Sequence, residues 1–456
     1  MTTKVAIIGS GISGLSCAWL LAQRQPDCDI TVFESAATLG GHTATQDVIS
    51  EGKTYAIDTG FIVYNSRTYP QFIALLNELG IEGQPTEMSF SVRNPLTGLE
   101  YNGHSLNSLF AQRSNLFKPS FWRFILDILR FNKLCKARLL NAHHSEETLG
   151  DLLDQNGFTP FFALHYVLPM GAAIWSSTLG EMANFPLAMF LRFFDNHGLL
   201  DVTNRPQWMV VPGGSREYIR RMQLMLPERV TLLTNTPVTH VTRFAQGVTL
   251  YSNHGEHGFD QVIFACHADQ ALAILGDHAT ADEHRILGAL PYQANEVILH
   301  TDTRLLPRAK CAWASWNYQL PPSHDAATHA AMPDSLPAHS RRASVTYNMN
   351  ILQGLHAPQT FCVSLNPLTS IDESKTLWRT TYMHPVLNLA SHQAQQQRHR
   401  INGHHRSWFC GAYWYNGFHE DGVNSARDVV ELIALQRTRS PQRRENPDRQ
   451  SVQEAS

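Results

Sequence analysis

The sequence has no cysteine pair with the spacing of a zinc site or a redox motif. Its seven cysteines are scattered, their number is odd, and no CxxC pair occurs. This pattern argues against a disulfide framework and a zinc ribbon, and we expect a reduced, cytoplasmic protein. No metal site is predicted, because His419 is followed four residues later by Val423 and not by the second histidine of an HExxH zinc motif.

Long apolar runs are also missing. The longest weakly polar run, residues 161–175, contains His165 and Pro169 and is too short to span a bilayer. The apolar run near the N-terminus breaks at once into glycines, which is unlike a signal peptide. An excess of basic residues is absent as well, since 36 Lys and Arg stand against 39 Asp and Glu. Nothing global therefore indicates nucleic acid as a partner.

What the sequence has instead is a glycine motif directly after a short β-branched run. Residues Val5 to Ile8 predict a buried parallel strand, and GxGxxG follows as Gly9, Gly11 and Gly14. In a dinucleotide-binding turn, these glycines permit the tight turn, the approach of a pyrophosphate, and close packing of helix on strand.

The residues after the motif complete a dinucleotide-binding unit. A helix from about Ile12 to Gln23 is predicted to aim its N-terminal amides at phosphates, and the strand DITVFE ends at Glu34. The Glu34 carboxylate is placed to accept hydrogen bonds from a ribose diol, which disfavours NADP but does not distinguish NAD from FAD. The predicted contacts are Gly9, Gly11, Ile12, Ser13, Gly14, Glu34 and Ser35.

Two further stretches narrow the choice of cofactor. SAATLGGHTAT places a second glycine pair after the acidic strand, and YAIDTGFIVYN follows. Together they resemble flavoproteins of the amine oxidase and phytoene desaturase superfamily, and the resemblance implies noncovalent FAD. It also implies that the flavin side of the cofactor contacts Gly40, Gly41, His42, Thr59, Gly60 and Phe61.

The C-terminal stretch FCGAYWYNGFHEDGVNSARDVVELI resembles the segment that closes the cofactor domain in this superfamily. The resemblance implies a cofactor grip at Gly411, Glu420, Asp421, Gly422 and Val423, with Val238 near the adenine and Ala265 on a returning strand. A helix is predicted to open with an N-cap at Asn424 or Ser425 and to run to about Leu435. Ser215 is predicted to cap an earlier helix.

The predicted fold class is α/β. A Rossmann-like FAD-binding domain with a parallel sheet is expected from residues 1–85, 206–290 and 396–436. It is interleaved with an α+β substrate domain, residues 86–205 and 291–395, with helices and a mixed or antiparallel sheet. Residues 321–342 are predicted to form a loop, and residues 437–456 a disordered tail.

The substrate side carries an amphipathic stretch at residues 113–140. Seven Lys and Arg residues alternate there with apolar side chains against a single acid, Asp127. This pattern suits peripheral contact with an anionic membrane on its inner face, and an ordinary packed helix is the alternative. Residues 163–200 are nearly free of charge and predict either an apolar substrate tunnel or plain core.

The resemblance is to bacterial members that accompany cyclopropane-fatty-acid-synthase-like enzymes. It implies an oxidoreductase that dehydrogenates a modified fatty acyl chain by hydride transfer to flavin N5. An amine oxidase producing hydrogen peroxide and a flavin-binding partner of a lipid-modifying enzyme are the alternatives. The lysine that amine oxidases place near the flavin has no clear equivalent, since Lys310 comes late in its segment. Catalytic residues stay unassigned, with His42 and His419 as candidates, and the oligomeric state is left open.

Overall fold

The computed structural model describes residues 2–139, 147–201, 205–321 and 342–439. The strands in chain order are β1 (Thr3–Ile8), β2 (Cys28–Phe33), β3 (Thr45–Ser50), β4 (Lys53–Asp58), β5 (Val63–Asn65), β6 (Gln84–Thr86), β7 (Phe90–Arg93), β8 (Glu100–Asn102), β9 (Trp208–Val210), β10 (Val230–Leu233), β11 (Val238–Arg243), β12 (Val248–Ser252), β13 (Gly255–Phe259), β14 (Gln261–Phe264), β15 (Tyr292–His300), β16 (Trp316–Gln319), β17 (Ser344–Asn348), β18 (Cys362–Leu365), β19 (Thr376–Pro385) and β20 (Ser407–Phe409). The helices are α1 (Ile12–Arg24), α2 (Pro70–Glu78), α3 (Leu106–Leu109), α4 (Pro119–Leu139), α5 (Leu149–Gln155), α6 (Pro160–Phe162), α7 (Leu168–Trp175), α8 (Leu179–Ala183), α9 (Leu187–Asn196), α10 (Arg216–Met225), α11 (Ala268–Leu275), α12 (Ala281–Leu287), α13 (Met349–Leu352), α14 (Leu389–Gln396) and α15 (His419–Arg439).

A parallel sheet carries the glycine motif. Its five strands lie in the order β10-β2-β1-β14-β20, and every neighbouring pair is parallel. The chain leaves β1 towards β2 on one side and returns to β14 on the other, so the strand order reverses at β1. Ligands of such sheets bind outside the carboxyl ends of the strands at this switch point, where the glycine turn lies.

Helices α1 and α15 pack together against this sheet. Their buried apolar residues share one core with β1, β2, Ile263 of β14 and Trp408 of β20. The short run of β-branched residues in β1 is fully buried, as expected for a parallel strand covered on both faces. The strands of the parallel sheet all lie within residues 1–85, 206–290 and 396–436.

A larger mixed sheet lies in the other half of the chain. Its seven strands are ordered β19-β15-β18-β17-β16-β7-β8, and all of them fall within residues 86–205 and 291–395. Six strand pairs make this sheet; five are antiparallel, and β16 pairs with β7 in parallel. The predicted α/β class, with a parallel sheet beside a mixed one, is confirmed.

A helical layer built from α4 to α9 packs against the half of the mixed sheet that contains β17, β16, β7 and β8. Its core is rich in phenylalanine, including the buried side chains of Phe124, Phe131, Phe162, Phe190 and Phe194. Residues 163–167 form a π-helical turn between α6 and α7. In the ranges that the structure describes, no helix is both long and apolar enough to cross a membrane.

Three local predictions are corrected by the structure. Helix α15 begins at His419, five residues before the predicted cap at Asn424, and it continues to Arg439, inside the predicted tail. Ser215 does stand at the N-cap of α10, but its side chain makes no cap; it donates instead to Asp58 Oδ1 at 2.8 Å. Residues 440–456 and most of the predicted loop, residues 322–341, lie outside the described residues.

Candidate functional site

The turn after β1 requires glycine at two positions and leaves a third open. Gly9 has a φ of +104°, and a side chain there would lie 2.8 Å from the carbonyl oxygen of Ala265. A Cβ on Gly14 would lie 1.9 Å from the carbonyl oxygen of Gly9, which no side chain tolerates. At Gly11 a Cβ would meet nothing within 4 Å. The open face of the turn is therefore at Gly11, where a ligand can approach the backbone.

The second glycine pair lies directly on this turn. Gly40 forms a parallel bridge with Gly11, and its amide donates to the carbonyl oxygen of Ser10 at 3.1 Å. A Cβ on Gly41 would lie 3.3 Å from the Cα of Gly11. The two glycine segments, about thirty residues apart in sequence, thus form one surface free of side chains.

The Glu34 carboxylate closes the other side of the turn. Its Oε2 accepts from the amide and hydroxyl of Ser10 at 3.0 and 2.6 Å. Its Oε1 accepts from the amide of Ala36 at 2.8 Å and the hydroxyl of Ser35 at 3.2 Å. Ser10, which stands between the motif glycines, was not among the predicted site residues, although its position inside the motif marks it. A ribose hydroxyl reaching Glu34 would share the carboxylate with Ser10.

Val238 lies on the outer side of Glu34. The segment before it runs beside the acidic loop, with the amide of Thr236 donating to the carbonyl oxygen of Glu34 at 2.8 Å. Val238 is buried in the same apolar cluster as Ile8 and Phe33. The structure therefore places Val238 two residues beyond a segment that is hydrogen-bonded to Glu34, and its contact with an adenine stays a prediction.

The first turn of α15 meets the first turn of α1. A Cβ on Gly422 would lie 2.6 Å from Cγ2 of Ile12 and 2.9 Å from Oγ of Ser13, so glycine is what lets the two helices approach. Val423 packs in one apolar cluster with Ile12. The N-terminus of α1, which has no acid in its first turn, therefore favours an anionic ligand beside the glycine turn, whereas the first turn of α15 carries Glu420 and Asp421.

Glu420 serves another helix. Its carboxylate accepts from the amides of Gln71 and Phe72 at 3.0 and 2.8 Å, in the first turn of α2, which has no capping side chain of its own. Asp421 accepts from the amide of Phe418 at 2.9 Å, and burial raises the pKa of Asp421 to about 7. The contact of either carboxylate with a cofactor stays a prediction.

His419 is buried behind the site in a hydrogen-bonded group. Its Nε2 lies 2.8 Å from the hydroxyl of Tyr218 and 3.2 Å from the hydroxyl of Thr43. Its ring stacks on Phe61 with 3.6 Å between centroids. Burial, with a smaller effect of His42, holds the pKa of His419 well below its usual value, so the imidazole is neutral.

His42 lies in a cluster of three imidazoles from three distant segments. Its ring centroid is 5.8 Å from that of His267 and 5.7 Å from that of His384. Burial, followed by the two neighbouring imidazoles, lowers the pKa of His42 to about 3. Its Nε2 is buried and has no hydrogen-bond partner within the described ranges. His267 and His384 were not predicted, because neither stands in a motif.

The segment Thr59–Phe61 is fixed against His42. The amide of Phe61 donates to the carbonyl oxygen of His42 at 2.8 Å, and a Cβ on Gly60 would lie 2.0 Å from that oxygen. The hydroxyl of Thr59 lies 3.3 Å from that of Tyr382, on β19 of the mixed sheet. This segment therefore joins the parallel-sheet side of the site to the substrate side.

Asp58, one residue earlier, ties three elements together. Its Oδ1 accepts from the hydroxyl of Thr45 at 2.6 Å and from the amide of Ser215 at 2.8 Å, and its Oδ2 accepts from Gln353 at 3.0 Å. Burial raises the pKa of Asp58 to about 6. Asp58 was not among the predicted site residues, although it stands inside YAIDTGFIVYN. It positions the backbone of Thr59 and Gly60.

Comparison with known families assigns the chain. The family described as flavin containing amine oxidoreductase matches residues 12–434, which is nearly the whole chain. A Mycobacterium tuberculosis protein named as a flavin-containing monoamine oxidase, AofH, is 26% identical over 299 residues, which cover 63% of this chain and 62% of that protein. The match thus spans less than two thirds of that relative's length.

Solved structures show the same fold at low identity. A putrescine oxidase bound to putrescine has a TM-score of 0.66 and 14% identity, over 95% of this chain and 99% of that chain. A CLA-producing fatty acid isomerase from P. acnes has a TM-score of 0.65 and 13% identity, over 94% of this chain and 98% of that chain. These likenesses show the fold alone.

The residues of the site suit FAD. Gly11 leaves open space at the turn, and the N-terminus of α1 has no capping side chain and no acid in its first turn, so a pyrophosphate is accommodated there. The Nε2 of His42 is buried and has no hydrogen-bond partner among the described residues, so it is left available to a bound group. Glu34 and Ser10 would hold the ribose, and Gly40, Gly41 and Gly422 would line the middle of the cofactor. The chain belongs to the flavin-containing amine oxidoreductase family, and FAD is its cofactor.

Proposed function

We propose that the chain is an FAD-dependent oxidoreductase that dehydrogenates a lipid, specifically a modified fatty acyl chain. The observation that carries the proposal is a continuous row of aromatic side chains in contact, here called the aromatic path, which leads from Phe418 into the helical layer. Phe418, which precedes His419, stacks on Phe193 with 5.0 Å between ring centroids, and Phe193 lies 4.7 Å from Trp175. Trp175 in turn lies 4.5 Å from Phe185.

The path is uncharged as well as aromatic. His197 stacks on Phe193 with 3.8 Å between centroids, and burial lowers the pKa of His197 to about 4, so its imidazole is neutral at physiological pH. Each methylene of an acyl chain buried here would contribute about 0.8 kcal/mol. An ammonium group would lose its hydration on entry. These surroundings favour an acyl chain over a cationic amine.

A flavin bound here would accept a hydride from a substrate carbon. The chain's own residues exclude water through the aromatic path and offer few proton acceptors. Of the two candidates for a base, His42 has the available atom, because its buried Nε2 has no partner in the described part of the chain, but a pKa of about 3 makes its imidazole a weak base. The Nε2 of His419 already contacts Tyr218 and Thr43, so His419 positions Phe61 and does not reach the substrate.

The comparisons are compatible with a lipid substrate. One structural neighbour is named as a fatty acid isomerase, so this fold does accept a fatty acyl chain in that protein. The resemblance to flavoproteins that accompany cyclopropane-fatty-acid-synthase-like enzymes supports a modified acyl chain as the substrate of this one.

Amine oxidation is the second candidate function. It is favoured by the similarity to a protein named as a monoamine oxidase, which extends over 299 residues. Against it, β15 carries no lysine; its buried polar residue near the start is Asn295, whose Oδ1 accepts from Asn366 at 2.8 Å. Peroxide release with amines would distinguish this function from lipid dehydrogenation.

An anaerobic visible spectrum of the flavin-loaded protein tests the proposal. Bleaching by lipids with modified acyl chains, and not by polyamines or NADPH, is the expected result. Bleaching by amines alone would establish the second candidate. Bleaching by NADPH would show that electrons pass from a nicotinamide to the flavin, which contradicts the proposed oxidation of a lipid.

A variant pair sharpens the test. Phe193→Leu, on the path, should raise the KM for the lipid, while Phe194→Leu, one residue on and packed against Phe190 at 3.8 Å, should lower stability and leave KM unchanged.

A further inference from the structure

One surface of the helical layer exposes an unusual number of large apolar side chains. Phe117 is 86% exposed, Leu106 77% and Leu126 64%. They are joined there by further exposed apolar residues, and we define the docking face as Leu106, Leu116, Phe117, Trp122, Leu126 and Leu129. Scattered exposed leucines are normal on soluble proteins, but a contiguous set of this kind marks an interaction surface.

Hydrogen bonds and ring contacts hold the docking face together as one surface. The indole of Trp122 donates to the carbonyl oxygen of Leu116 at 2.9 Å, and its ring lies 5.4 Å from that of Phe110. Arg113 donates to the carbonyl oxygen of Phe110 at 2.9 Å and also to the side chain of Asn107. Helix α3, the 3₁₀ turn before α4, and α4 therefore present their apolar side chains on a shared, fixed framework.

The fold does not need these side chains for its core. Within α4, Trp122, Leu126 and Leu129 are spaced as one helical face, and the opposite face buries Phe121, Phe124, Phe131 and Cys135. The first half of α4 is thus apolar on both faces, although only one is covered. A helix of this kind is expected to be buried on both sides in its working state.

Cationic side chains flank the docking face. Arg113, Lys118, Arg123, Arg130 and Lys133 are all exposed. Arg123 and Lys133 form no ion pair with any described residue, whereas the one acid of α4, Asp127, is buried and pairs with Arg130 at 3.4 Å. The net charge around the apolar centre is therefore positive, and it is in the second half of α4 that Lys136 and Arg138 pair with Asp201 and Glu147.

We propose that the docking face binds the surface of an anionic lipid bilayer. The exposed apolar side chains suit the outer part of the acyl-chain region, and Trp122 suits the level of the headgroups. The surrounding Lys and Arg suit anionic headgroups. A second copy of the chain is a poor occupant, because a symmetric contact would set these cations against their own copies. The proposal is independent of the substrate, since it concerns where the protein binds and not what it oxidises.

The test is co-sedimentation of the FAD-loaded chain with phosphatidylcholine vesicles, with and without phosphatidylglycerol. Binding is expected only with phosphatidylglycerol and should weaken as salt is raised. Each cation near such a surface contributes about fivefold in affinity, so Arg123→Glu with Lys133→Glu should weaken binding at least about tenfold. Phe117→Ala with Leu126→Ala should weaken it by a similar factor.

Matched controls come from exposed residues of the other domain. Phe244 and Leu224 are 55% and 71% exposed, and Phe244→Ala with Leu224→Ala should leave vesicle binding unchanged. Lys53→Glu with Arg221→Glu makes the same change of charge away from α4. This variant should change the affinity for phosphatidylglycerol vesicles by less than about twofold.

Three outcomes would overturn the proposal: equal binding to neutral vesicles, equal loss in the control variants, or no vesicle binding at all. In the last case, a dimer in solution that Phe117→Ala with Leu126→Ala dissociates would identify a second copy as the occupant. Turnover is not measured in any arm, so a failure of the proposed lipid oxidation would leave this result unchanged.

Discussion

The glycine turns around β1 and the helical layer of α4 to α9 are stabilised in different ways. At the turns, backbone lies against backbone: the space at Gly14 is occupied by the carbonyl of Gly9, and that at Gly60 by the carbonyl of His42. In the helical layer, side chain lies against side chain, and phenylalanine rings such as Phe190 and Phe194 fill the core. The first arrangement requires glycine at particular positions, whereas the second requires only that apolar side chains fill the available volume.

This difference explains what the two regions reveal about function. Glycines at fixed spacing, followed by an acid, are required for binding a dinucleotide cofactor, and the family match identifies that cofactor as FAD. An aromatic core is compatible with many sequences and with either a substrate path or simple packing. The cofactor is therefore shown by the family, while the substrate is a proposal that depends on where individual rings lie.

The largest expected effect is from one methyl group at the glycine turn. Gly14→Ala would place a Cβ 1.9 Å from the carbonyl oxygen of Gly9, and both partners are backbone, so α1 must move away from β1. We expect loss of folding, with a destabilisation of roughly 4 kcal/mol or more. Soluble yield and thermal unfolding are the measurements.

Gly11→Ala is the matched control. Its Cβ meets nothing within 4 Å and its φ is −63°, so the fold should be unaffected. The added methyl would stand where a pyrophosphate approaches, and flavin absorbance should fall sharply. Equal behaviour of the two variants would contradict the assignment of the open face.

A core truncation in the helical layer should have the next largest effect. Phe190 is fully buried and stacks on Phe194, and Phe190→Ala should cost about 3–5 kcal/mol in the free energy of unfolding. Because the change lies away from the glycine turns, the folded fraction should still bind FAD. Urea unfolding followed by flavin titration measures both. Loss of FAD in protein that remains folded would show that the two regions are coupled more closely than their packing indicates.

The elements predicted best are those that local pattern alone determines. The predicted strand Val5–Ile8 and helix from about Ile12 to Gln23 are found as Thr3–Ile8 and Ile12–Arg24. The strand before Glu34 is also found, ending at Phe33. Each depends on a run of β-branched residues, a glycine spacing or a turn, all of which can be read within about fifteen residues.

The start of α15 was predicted wrongly because it depends on one contact within its first turn and on two contacts with a distant helix. Asp421 accepts from the amide of Phe418, so the helix can begin at His419, and Glu420 is retained there by the amides of α2, 348 and 349 residues away. The histidine cluster likewise draws His42, His267 and His384 from three segments. No periodicity or spacing brings such residues together; only the tertiary fold does.

The contact of Glu420 with α2 offers a smaller, more specific test. Glu420→Gln would turn an amide NH₂ towards one of the two N–H groups of Gln71 and Phe72, leaving it unpaired. We expect a loss of about 1–3 kcal/mol in the free energy of unfolding, measured by urea denaturation. Glu431→Gln, on the same helix, changes an exposed ion pair with Arg24 at 3.7 Å and should cost less than about 1 kcal/mol. Equal losses would mean that Glu420 does not cap α2.

The two regions should also respond to acid in opposite directions, which is the smallest effect we expect. Burial lowers the pKa of His300, in the mixed sheet, to about 4, whereas burial raises the pKa of Asp58, beside the cofactor site, to about 6. Below about pH 6.5 the unfolded chain takes up a proton at His300 that the folded chain refuses, so stability is lost as the pH falls. Asp58 holds its proton more strongly in the folded state than in the unfolded state. The stability that this difference contributes is therefore lost as the pH rises from about 4 to 6, and it is regained as the pH falls.

Removing each group separates the two contributions. Between about pH 7.5 and 5.5, His300 should account for roughly 1.4 kcal/mol of the fall in unfolding free energy. The fall should therefore shrink by that amount in His300→Gln and grow in Asp58→Asn, where the opposing gain is absent. Urea unfolding of the FAD-loaded protein at both pH values measures these differences. His300 also contacts Ser364 through Nε2 at 2.8 Å, so the variant will be less stable at every pH, and only the change in slope bears on the titration. An unchanged slope in both variants would mean that the two regions do not differ in how they hold their protons.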